Sequence, residues 1–127
     1  MEKNRVKVIV HQYPISDRYC QIGSLGEIDS INNKIRVGGA WFEYLPDDKR
    51  WVVEYVFEKN ETVLWDSNFG YDIVTYMNEP QSYRATCQYL TGKNSGMFGS
   101  ISKGELLPYT QANYDKLVAK YNIKKTI

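Results

Sequence analysis

Apolar and polar residues alternate along much of the first ninety residues, which is the pattern of β-strands with one buried face. In the clearest run, residues 50–58, the odd positions are all apolar or aromatic: Trp51, Val53, Tyr55 and Phe57. The N-terminal run repeats the pattern with Val6, Val8 and Val10. In the run 83–90 the alternation places Cys87 on the inward face.

Turn-forming residues separate these runs. Asn32-Asn33 fits a tight hairpin, because Asn tolerates the positive φ that such turns require. A second hairpin is expected around Pro46–Lys49, and a further turn at Lys59–Glu61. Short strands with turns at this spacing predict a mainly β fold: an antiparallel β-sandwich or partly open barrel of six to eight strands.

The last third of the chain has a different pattern. Residues 91–104 are rich in Gly, Ser and Asn and predict a long loop, in which Met97–Ile101 fits a short strand. Thr110 is a good N-cap for one C-terminal α-helix over about 110–122. Apolar residues repeat there at helical spacing: Tyr114, Leu117, Val118 and Tyr121. No linker or repeat is visible, so 1–127 is interpreted as a single β-rich domain with strands over about 5–90.

Charge and hydropathy exclude several classes of partner. The chain has 16 Lys and Arg against 15 Asp and Glu, a net charge of +1, which gives no field to hold a nucleic-acid backbone. No apolar run approaches the ~20 residues that span a bilayer, so no membrane interaction is expected. The N-terminus is basic but lacks the apolar core of a signal peptide. We therefore expect a cytoplasmic protein, or a secreted one if a leader preceded this sequence.

The sequence offers no set of catalytic residues. The only histidine, His11, falls on a predicted strand without the local context of a catalytic site. Cys20 and Cys87 could pair only if the fold brings them together, and buried free thiols are the favoured interpretation. The segment 91–96 contains Gly and Lys but lacks the spacing of a phosphate-binding loop. We therefore predict no enzyme activity, no metal site and no cofactor.

The most informative stretch is Trp65-Asp66-Ser67-Asn68-Phe69-Gly70, which follows a strand-like run. It resembles the motif of starch- and glycogen-binding carbohydrate-binding modules, which are β-sandwich domains. In that motif a Trp-Asp-Asn/Ser-Asn sequence is followed by Gly, and Trp65, Asp66, Ser67, Asn68 and Gly70 match in order. The resemblance implies a lectin-like, non-catalytic domain that binds a glucan.

The chemistry of these residue types agrees with that implication. A sugar ring has an apolar C–H face, for which Trp65 would be a flat platform, and a rim of hydroxyls. The polar side chains beside it can hydrogen-bond such hydroxyls: Asp66, Asn68 and Asp72. Tyr71 belongs to the same loop, and a second platform is predicted from Trp41 and Trp51. The expected ligand is a carbohydrate or another small uncharged molecule.

A second hypothesis uses the aromatic residues differently. Aromatic residues make up 14% of the chain, including 11 Tyr, and Tyr is enriched at protein interfaces. The chain could therefore be a small intracellular interaction or sequestering protein, such as a phage-type inhibitor. It would bind a protein partner, a second copy of itself or a nucleotide-like ligand through residues 92–104 and the helix. The two hypotheses remain open at this stage.

Overall fold

The computed structural model describes residues 5–14, 23–45 and 47–127. Cys20, whose pairing with Cys87 the sequence left open, and Pro46 lie outside the described residues. The chain forms two compact units, an N-terminal unit that ends at Val56 and a C-terminal unit that begins at Phe57. Each contains one antiparallel sheet of five strands, which confirms the mainly β class. The described residues hold ten strands, whereas the sequence predicted six to eight.

The five strands of the N-terminal unit are β1 (Arg5–Gln12), β2 (Ser24–Asp29), β3 (Lys34–Val37), β4 (Ala40–Glu43) and β5 (Val52–Tyr55). They pair in the order β4-β3-β2-β1-β5. Asn33 has φ 53° in the turn between β2 and β3, which confirms the Asn-Asn hairpin. The core of the unit contains the alternating apolar residues and one tryptophan: Val6, Val8, Val10, Ile28, Ile35, Val37 and Trp51.

The five strands of the C-terminal unit are β6 (Glu61–Asp66), β7 (Tyr71–Gln81), β8 (Arg84–Tyr89), β9 (Phe98–Ser102) and β10 (Leu106–Pro108). They pair in the order β10-β6-β7-β8-β9. Strand β9 lies inside the Gly-rich stretch, close to the short strand that the sequence suggested there. Cys87 of β8 is fully buried, as the alternation predicted.

The helix α1 (Gln111–Tyr121) confirms the predicted C-terminal helix. The Thr110 hydroxyl accepts a hydrogen bond from the Asn113 N–H at 3.1 Å, so Thr110 is the N-cap. The buried Leu117 packs with Leu64 of β6 and Ile73 of β7, which fixes the helix on the sheet beside the β6–β7 hairpin. In the described part of the chain, no helix has both the length and the apolar character that crossing a membrane requires.

Candidate functional site

The β6–β7 hairpin carries five of the seven residues predicted to bind a ligand, and its turn is held by four short-range hydrogen bonds. Gly70 O accepts from the Ser67 N–H (3.0 Å) and the Ser67 hydroxyl (2.9 Å). The Asn68 N–H donates to Asp66 Oδ1, and the Phe69 N–H donates to Ser67 Oγ. Asn68 has φ 69°. The turn therefore displays Phe69 at its tip, 97% exposed.

Trp65, the predicted platform, lies lower in the hairpin and is half-buried. Its ring centre is 5.6 Å from that of Tyr89, with the planes tilted by 44°. Its indole N–H donates to Glu105 Oε1 at 3.2 Å. Trp65 thus packs against the core of the C-terminal unit, and only part of its ring is open to solvent.

The carboxylate of Asp66 is held by the end of α1. It accepts hydrogen bonds from the Lys120 ammonium at 2.7 Å and from the Tyr121 hydroxyl. Burial alone would raise the pKa of Asp66, but the bonds from Lys120, Tyr121 and the Asn68 N–H outweigh it and lower the pKa. Asp66 is therefore an anion with fixed orientation and a neutralising cation beside it.

Tyr71 and Asp72 connect the start of β7 to the C-terminal residues. Tyr71 is 2% exposed, and its hydroxyl donates to the carbonyl of Ile123. Burial, with Tyr114 nearby, raises the pKa of Tyr71 to about 12. Asp72 accepts hydrogen bonds from the Thr91 hydroxyl at 2.9 Å and the Lys125 ammonium at 2.6 Å. Both side chains thus contribute to packing around the turn.

The two tryptophans predicted as a second platform belong to the N-terminal unit. Trp51 is 6% exposed and is surrounded by the rings of Tyr13, Phe42 and Tyr44, whose centres lie 6.0–6.5 Å away. A sugar could stack on Trp51 only by displacing these rings.

Trp41 has a different environment, on the polar face of the N-terminal sheet. It is 42% exposed, and the guanidinium carbons of Arg5 and Arg36 lie 5.0 and 5.6 Å from its ring centre. These distances are typical of cation–π contacts. Of the three tryptophans, Trp41 therefore presents the most surface to solvent, next to fixed positive charge.

The exposed aromatic residue at the turn is Phe69, which sequence reasoning did not single out. The sequence around Phe69 does indicate its exposure, because an apolar residue flanked by the turn-forming residues Asp, Ser, Asn and Gly cannot easily reach a core. The cations at the site, Lys120 and Lys125, had no such signal. Lys120 lies in the last turn of the predicted helix and Lys125 follows that helix, and positive charge at this end is already explained by the helix dipole.

The described residues include no group of three His, Cys, Asp or Glu side chains that could hold a metal ion. His11 Nε2 lies 3.0 Å from Glu54 Oε1, on the N-terminal unit. The chain matches no protein family model, and neither curated proteins nor solved structures resemble it significantly.

Proposed function

We propose that the protein is a non-catalytic carbohydrate-binding module that holds a neutral glucan chain against the β6–β7 turn. The observation that carries the proposal is the 97% exposure of Phe69 on a turn fixed by local hydrogen bonds. Phe69 takes the role that the motif predicted for Trp65, because its ring is free to lie against the C–H face of a sugar.

Polar groups for the sugar hydroxyls lie beside this ring. Asn68 is exposed and offers an amide with both donors and an acceptor. Asp66 is held in one orientation by Lys120 and Tyr121. Its Oδ1 already accepts from Tyr121 and from the Asn68 N–H, so Oδ2 is the oxygen that has an acceptor position for a sugar hydroxyl. The fixed backbone of the turn and the fixed Asp66 carboxylate reduce the conformational entropy that is lost on binding, which favours affinity from a small contact area.

The charges around the turn favour an uncharged ligand. The two acidic side chains that lie next to the hairpin turn are each paired with a lysine: Asp66 with Lys120 and Asp72 with Lys125. The local charge is therefore balanced, and neither a polyanion nor a cation would gain from binding here. A neutral polysaccharide needs only the aromatic surface and hydrogen-bonding groups.

Native electrophoresis through gels that contain soluble starch or glycogen tests the proposal. The wild type should migrate more slowly in these gels than in a gel without polysaccharide. Phe69→Ala should abolish the retardation, and its melting temperature should match the wild type because Phe69 has almost no contacts to lose. Trp65→Ala is less informative, since it also removes a half-buried ring from the core.

Tyr83→Ala is the matched control. Tyr83 is 64% exposed in the turn between β7 and β8, so its removal tests the loss of an exposed aromatic residue elsewhere in the same sheet. This variant should be retarded like the wild type. A wild type with unchanged mobility in both polysaccharides would refute glucan binding, and a retarded Phe69→Ala variant would refute the site.

A further inference from the structure

The polar face of the N-terminal sheet carries charges that alternate from strand to strand. Strand pairing places four residues in one row across β1, β2, β3 and β4: Arg5, Asp29, Lys34 and Glu43. The next row is Lys7, Glu27, Arg36 and Trp41. Contacts agree with this order, since Arg5 lies 2.8 Å from Glu27 and 3.7 Å from Asp29. The first row thus ends on an anion and the second on an aromatic ring, both on β4.

Strand β4 is an edge of this sheet. Two of its residues direct their backbone N–H and C=O groups away from β3, where no strand in the described part of the chain pairs with them. The Tyr44 N–H donates to Asn33 O at 2.8 Å. In an antiparallel pair, successive residues direct their backbone N–H and C=O groups alternately toward the neighbouring strand and away from it. Phe42 and Tyr44 therefore direct their backbone groups toward β3. Trp41 and Glu43 therefore direct theirs outward. Both side chains are exposed, and no described residue extends the sheet beyond β4.

We propose that this edge pairs with the β4 strand of a second copy of the chain, antiparallel, about a two-fold axis at Phe42. In this register Trp41 of each copy lies opposite Glu43 of the other. The backbone groups of both residues point away from β3, so each pair of opposite residues exchanges two backbone hydrogen bonds, about four in all. A register shifted by one residue would place a residue whose backbone groups face the second copy opposite one whose backbone groups face its own β3, and these bonds would be lost.

Charge complementarity favours a second copy of the chain as the partner of this edge strand. Across the axis, Glu43 would meet Trp41 of the partner copy, followed by the partner's Arg36 and then its Glu27. The order positive, negative, positive, negative therefore continues through the aromatic ring into the second sheet. Like charges directly opposite each other would be destabilising, and this register places no such pair across the interface. The sequence of an unrelated peptide would not in general continue this alternation of charge.

Sedimentation equilibrium across a wide range of protein concentration tests the pairing. The wild type should show a reversible monomer–dimer equilibrium. Glu43→Pro removes an outward N–H that the β3–β4 ladder does not use, so the sheet should form while the dimer dissociation constant rises at least about tenfold. Glu43→Ala is the control for the lost carboxylate, since it retains the backbone donor and should still dimerise.

A mixed disulfide experiment fixes the register and does not depend on the proline variant folding. In a Cys20→Ser background, Trp41→Cys and Glu43→Cys chains are prepared separately, then oxidised alone and as a mixture. Residues 41 and 43 of different copies would lie within disulfide reach, whereas two copies of the same position would not. The mixture should therefore cross-link much faster than either variant alone. A wild type that stays monomeric, or equal cross-linking in all three samples, would overturn the proposal.

Discussion

The ammonium nitrogen of Lys125 lies 2.6 Å from Oδ1 of Asp72, and this contact joins the last residues of the chain to the start of β7. The Thr91 hydroxyl donates to the same carboxylate oxygen. Each side chain of the ion pair is only 22% exposed. The pair is therefore better shielded from water than a typical surface salt bridge, whose contribution is close to zero.

Lys125→Met should lower the free energy of unfolding by about 1 kcal/mol, because it leaves a half-buried carboxylate with a single neutral donor. Thermal denaturation measures the change, and Lys124→Met is the control because Lys124 is exposed. A double variant Asp72→Asn, Lys125→Met should recover part of the loss, since no charge is then left without its partner. Equal melting temperatures for both single lysine variants would contradict this interpretation.

The strands and the helix were predictable from local patterns, whereas the environment of the candidate site was not. Val6, Val8 and Val10 alternate, and Thr110 begins a helical repeat, so each of these elements is specified within a few residues. The end of β7 lacks such a pattern because its last four residues are polar or proline and exposed. It continues the strand without a buried face.

The role of Asp66 could not be decided locally for a related reason. Asp followed by Ser and Asn is equally suited to a turn and to a ligand contact. Its partners, Lys120 and Tyr121, are 54 and 55 residues away in the sequence. Only the packing of α1 on the sheet brings them together, and no spacing rule within the motif contains that information.

The pKa of Asp66 predicts how the C-terminal unit responds to acid. Because the folded-state pKa lies below the unfolded value of about 3.9, the contribution to stability is complete above that value. It is lost as the pH falls further, through the folded pKa. The free energy of unfolding should therefore decrease below about pH 4, and Asp66→Asn should have a shallower decrease.

Urea denaturation at a series of pH values measures this slope. The comparison must be the difference between the wild type and Asp66→Asn, because hydrogen bonds also lower the pKa of Asp29 and Asp48 in the N-terminal unit. These two carboxylates contribute to the slope of both proteins and cancel in the difference. Parallel pH profiles for the two proteins would show that Asp66 is not stabilised as an anion.

Cys87 should be unreactive in the native protein. Its side chain is fully buried, and burial raises the pKa of the thiol to about 11. The thiolate is the nucleophile in alkylation, so both access and ionisation oppose the reaction at pH 8. Iodoacetamide followed by peptide mass spectrometry should label Cys87 only after denaturant is added. Labelling of Cys87 in native buffer would show that β8 opens readily.

The three tryptophans should differ in their access to a neutral quencher, and this difference bears on any aromatic platform in the N-terminal unit. Trp41 is 42% exposed and Trp51 is 6% exposed, so acrylamide should quench Trp41 much more strongly. Trp41→Phe should remove most of the readily quenched fluorescence, whereas Trp51→Phe should leave it. The half-buried Trp65 should fall between them. If Trp51→Phe instead removed the accessible fraction, the ring cluster around Trp51 would not be closed in solution, and a sugar could stack there.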